Sequence, residues 1–70
     1  MNKELLTFFS WTVSKLGRKA TLGDAIKLHT KQRNDTRIGN NFTIADIHPK
    51  QIIDLANAHG KDKAIRSILN

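Results

Sequence analysis

Seven basic residues, Lys15, Arg18, Lys19, Lys27, Lys31, Arg33 and Arg37, face only two acids, Asp24 and Asp35, within one stretch of this chain, a net +5 of its total +6. Such a concentration of cations is chemically suited to a polyanion. Phosphates neutralised by Lys and Arg release their condensed counterions, so nucleic acid is the first partner to expect, DNA ahead of RNA. The expected phosphate contacts are Lys19, Lys27, Lys31, Arg33 and Arg37. Lys27 and Lys31 are one helical turn apart, a spacing that costs a few tenths of a kcal/mol in repulsion on an isolated helix and that a phosphate backbone would relieve. Asn34, Asn40 and Asn41 are interleaved with these cations. Their amides suit base edges or phosphates, and equally suit turns. The competing account of the whole segment is a solvated helix face followed by a charged loop.

The remaining residues with reactive side chains form no recognisable catalytic or metal-binding pattern. His29, His48 and His59 are the only imidazoles, and no two have the spacing of roughly three to five residues that metal-binding helices use. Asp46 and His48 could be drawn into a triad with Ser10, Ser14 or Ser67, but nothing in the sequence orients them, and so short a chain has little room for an enclosed site. Gly17, Gly23, Gly39 and Gly60 are isolated and fit no phosphate-loop spacing. No enzymatic activity, metal or cofactor is expected.

Size limits what can position these groups. Seventy residues make one small domain, residues 1–70, which buries only roughly 60% of the surface exposed by its unfolded chain. Disulfides and thiolate zinc sites are excluded because there is no cysteine, and a reducing, cytoplasmic setting fits best. The longest apolar stretch, near Leu5 to Val13, is interrupted by Thr7, Ser10 and Thr12 and falls far short of the ~20 residues of a membrane span. Glu4 and the lack of a small-residue cleavage site argue against a signal peptide. A surface-bound helix would carry more Lys or Arg on its polar face than the single Lys3 near Thr7, Ser10 and Ser14. With so small a core, a homodimer is also compatible with the sequence.

The hydrophobic pattern predicts a mainly α, compact domain of about four short helices, with room for a short hairpin or strand around 37–47. Leu5, Phe9, Val13 and Leu16 recur at helical spacing from Asn2 to Leu16, with Leu6 and Phe8 widening the arc, and Gly17 suits the left-handed stop. Thr21 and Asp24 form a capping-box pattern for a second helix, in which Leu22, Ala25, Ile26 and His29 share one face and Lys27 and Lys31 the opposite one. Residues 32–41 are almost free of apolar side chains and read as a loop. Phe42 to Ile47 carries two signals: Phe42 and Ile44 alternate with polar or small neighbours like a strand, while Thr43 to Asp46 repeats the capping pattern of Thr21 to Asp24. A short strand or extended segment is the favoured expectation. Pro49 opens a third helix whose core face is Ile52, Leu55, Ala56 and His59, Gly60 ends it, and Asp62 is placed to cap a last helix carrying Ala64, Ile65, Ile68 and Leu69.

Two DNA-reading architectures share part of this pattern. A helix-turn-helix could place Thr21 to Arg33 as its recognition helix after the Gly17 turn, or use Leu55 to Leu69, where Ala56 and Gly60 suit the first helix and its turn but Arg66 occupies the position where the next core aliphatic is needed, with Ile65 one residue early. A ribbon-helix-helix would use 42–47 as its strand, but it wants a longer first helix and a base reader where Asp46 stands. Trp11, with Lys15 one turn on, allows a cation–π contact or a stacking surface, although core margin is the commoner role. The few aromatics weaken single-strand-binding readings. The favoured function is a small nucleic-acid-binding protein, a DNA-binding transcription regulator. The alternative is an adaptor or inhibitor that uses the same charge against an acidic protein surface such as that of RNA polymerase.

Overall fold

The computed structural model describes residues 3–32, 37–38 and 43–69. Among them the chain forms helices α1 (Lys3–Leu16), α2 (Leu22–Lys31), α3 (Pro49–His59) and α4 (Ile65–Leu69), with one 3-10 turn at Ile44–Asp46. The mainly α architecture is the one the periodicity predicts. No strand forms among the described residues; two isolated antiparallel bridges, Thr21 with Ala64 and Arg37 with Thr43, are the only extended pairings there.

Leu5, Phe8, Phe9 and Thr12 supply the buried stripe of α1. The expected stripe through Val13 and Leu16 is therefore rotated, and Leu16 is 49% exposed. A polar residue is tolerated in the stripe because the Thr12 hydroxyl donates to the Phe8 carbonyl at 2.8 Å, leaving no unpaired polar atom. Gly17 ends the helix at φ +98, a backbone conformation that costs glycine little and other residues more.

Between the helices lies a core of Leu5, Phe8, Phe9, Ala20, Leu22, Ala25, Ile38, Ile44, Ile47, Ile52, Ala56 and Ile65. His29 joins it from the inner face of α2. Its Nε2 lies 2.7 Å from the Ile47 carbonyl, and since a carbonyl oxygen only accepts, Nε2 carries the hydrogen and donates. The Phe8 ring meets the imidazole edge-on with centroids 5.9 Å apart. This bond fixes the segment before α3 against α2. Replacing His29 with Leu leaves the Ile47 carbonyl without its donor and is expected to lower stability by about 1–3 kcal/mol, read from the midpoint of urea unfolding.

The segment from Thr43 to Ile47 corrects the strand expectation. The Asp46 carboxylate accepts the Thr43 amide at 2.7 Å and the Asp46 amide returns to the Thr43 carbonyl at 3.0 Å. These local bonds satisfy the backbone within the turn, where a strand would need a partner along its length. Of the expected hairpin, the bridge between Arg37 and Thr43 is present; residues 39–42 lie outside the described residues. A ribbon-helix-helix strand is likewise not formed by 43–47.

The third helix begins at Pro49 and ends at Gly60, at φ +99. Its buried residues are Ile52 and Ala56, and His59, expected on this face, is exposed. The last helix also starts later than expected. Asp62 lies in the turn before it and α4 begins at Ile65, because the chain from Lys61 to Ile65 runs against residues 20–23. There the Ile65 amide donates to Ala20 at 2.8 Å, and the Lys63 and Lys61 carbonyls accept from Leu22 and Gly23, each at 2.9 Å.

Candidate nucleic-acid interface

The lysines of α2 are set outward by the same periodicity that buries Leu22, Ala25 and His29. Lys27 and Lys31 are exposed, four residues apart on one face. With Leu16, Asp24 and Leu28 they line an open groove of about 240 Å³ between the end of α1 and the outer face of α2. The groove thus combines two cations and one acid with the apolar side chains of Leu16, half-exposed, and Leu28.

Lys19 is exposed in the turn between α1 and α2, away from the end of α2 where Lys31 stands. Arg37 is exposed beyond the end of α2, bridged to Thr43. Arg33, and with it Asn34, Asn40 and Asn41, lies outside the described residues. Lys27 and Lys31 are thus the two expected contacts that share a surface.

Ion pairing leaves that surface cationic. Among the described residues the one salt bridge joins Lys50 and Asp54 on α3, Nζ to Oδ2 at 3.2 Å, with both side chains well exposed. Asp24, which lines the same groove, accepts the Thr21 amide at 3.0 Å, and the Thr21 hydroxyl accepts the Asp24 amide at 3.2 Å. The carboxylate therefore serves as the capping box of α2. The helix N-terminus itself has no free donor for an anion. Its first amides go to Lys63, Lys61 and Thr21, so any phosphate contact here must come from side chains.

The other chemistry-bearing residues have structural duties. His48 caps α3 by accepting the Lys50 amide on Nδ1 at 3.1 Å, and Asp46 holds the 3-10 turn. Trp11 is half-buried, stacked on Phe8 with centroids 6.1 Å apart, and the Lys15 ammonium lies 5.6 Å from its ring centroid. The cation–π pair expected from their spacing is present, and Trp11 packs at the margin of the core.

Lys61, Lys63 and Arg66 belong to a part of the chain whose charge is nearly balanced, and the pairing of residues 20–23 with 61–65 brings that part to the basic segment. No family model, curated protein or solved structure matches the chain. Among the described residues no helix is long and apolar enough to cross a membrane.

Proposed function

We propose that this chain is a small nucleic-acid-binding protein, a regulator that holds the phosphate backbone of DNA through Lys19, Lys27, Lys31, Arg33 and Arg37. The observation that carries this reading is the outer face of α2. Lys27 and Lys31 stand exposed there without an ion-pair partner among the described residues, while Asp24 in the same groove caps the helix. A phosphate backbone supplies the missing counter-charge. The protein acts by binding and occupying its target, with no catalytic step and no cofactor. The intact chain is expected to shift a mixed-sequence DNA duplex in a gel at low salt. Absence of any shift with duplex DNA or RNA would overturn the reading.

One observation favours a second reading. Leu16, 49% exposed, lines the same groove as Lys27 and Lys31, and an acidic protein surface bearing an apolar side chain would satisfy both features at once. Capture of a stoichiometric protein from lysate that survives nuclease treatment, with no DNA shift, is the result that selects this adaptor reading over the first.

A further inference from the structure

We infer that the phosphate-contacting surface extends beyond α2 onto the turn between α3 and α4, where Lys61, Lys63 and Arg66 join Arg18 and Lys19 in a second cationic cluster. This rests on the nucleic-acid reading above and enlarges its site with residues from the far end of the sequence.

Backbone bonding brings the two turns together. The bridge between Thr21 and Ala64 is flanked by the bonds from Ile65 to Ala20, from Leu22 to Lys63 and from Gly23 to Lys61, all 2.8–2.9 Å. Arg18 and Lys19 immediately precede one side of this junction, and Lys61, Lys63 and Arg66 lie along the other; all five are exposed. The acids at the junction are Asp24, whose carboxylate caps α2, and Asp62. Positive charge is therefore in excess where two segments distant in sequence meet.

The junction also lines up with the α2 lysines. Gly23, Lys27 and Lys31 are four residues apart, so they follow one face of the helix at intervals of roughly 6 Å along its axis. The absence of a side chain at Gly23 lets the α3–α4 turn approach this face: a Cβ there would lie 3.3 Å from the Lys61 carbonyl oxygen and 3.6 Å from the Lys61 Cβ. Lys61 thus takes the place at the head of the row that residue 23 leaves empty, and the row Lys31, Lys27, Lys61 runs into the second cluster. Gathering like charges costs free energy in the unbound protein. A polyphosphate backbone laid along the row offsets that repulsion.

The test measures the affinity of the full chain for a fluorescent mixed-sequence DNA duplex across a salt series. It compares the unaltered protein, a Lys27→Ala/Lys31→Ala variant, and a Lys61→Ala/Lys63→Ala/Arg66→Ala variant. The triple variant keeps the backbone carbonyls that hold α2, and its unchanged thermal unfolding by circular dichroism verifies the fold. Its plot of log affinity against log salt is expected to be shallower by about 2–3, close to 0.9 for each phosphate contact removed. If the triple variant matches the unaltered protein in affinity and slope while Lys27→Ala/Lys31→Ala flattens the plot, the second cluster is refuted and the α2 site stands. If the unaltered protein binds no duplex at any salt, the nucleic-acid reading fails and this extension with it.

Discussion

Phe8→Ala is expected to remove much of this domain's folding margin and to lower its thermal unfolding midpoint sharply. Phe8 is wholly buried and its ring meets three others: Phe9 at 6.0 Å, Trp11 at 6.1 Å and the His29 imidazole at 5.9 Å between centroids. It therefore joins the core of α1 to the inner face of α2 and, through His29, to the segment that leads into α3. Truncating a buried Phe to Ala costs about 3–5 kcal/mol. A domain of this length has a total margin of roughly 4–10 kcal/mol, so the loss consumes much or all of it. Far-UV circular dichroism should show a thermal transition shifted to much lower temperature. Phe8→Leu, which keeps most of the volume, should retain a cooperative transition. A Phe8→Ala protein whose unfolding midpoint stays close to that of the unaltered chain would show that the core is not organised around this ring.

Reversing the charge of the α2 face is the substitution expected to affect binding most. Lys27→Glu/Lys31→Glu removes two phosphate partners and puts two anions in their place, and like charges juxtaposed at an interface cost several kcal/mol. Affinity for duplex DNA at low salt should fall by about 100-fold or more. Both side chains are exposed, so folding should change little. Lys50→Glu is the informative comparison, because Lys50 is paired with Asp54 on another helix and should weaken binding only a few-fold. Equal losses in the two proteins would mean that net charge alone governs binding and that α2 presents no particular surface.

Much of the fold was legible because local chemistry and tertiary packing agree. Gly17, Thr21 with Asp24, Pro49 and Gly60 each mark a boundary through a conformation or a bond that neighbouring residues alone determine. Residues 43–47 were misread because alternation and capping competed over too few positions, and the capping bonds from Asp46 prevailed. Leu16 and His59 were misplaced for a different reason. Periodicity defines a helix face but not the length over which a neighbouring helix covers it, and both residues lie at helix ends. The delayed start of α4 and the proximity of Lys61 to α2 depend on backbone bonds between residues some forty positions apart. Composition carries no trace of such bonds. The outward setting of Lys27 and Lys31, by contrast, follows directly from the apolar residues opposite them.

The most direct measurement of the central claim is the salt dependence of duplex binding by the unaltered chain. Five phosphate contacts predict a straight plot of log affinity against log salt with a slope of about −4.5, steepening to about −7 with the three contacts of the second cluster, shared by duplexes of unrelated sequence. A slope near zero, or no binding at low salt, would contradict the claim.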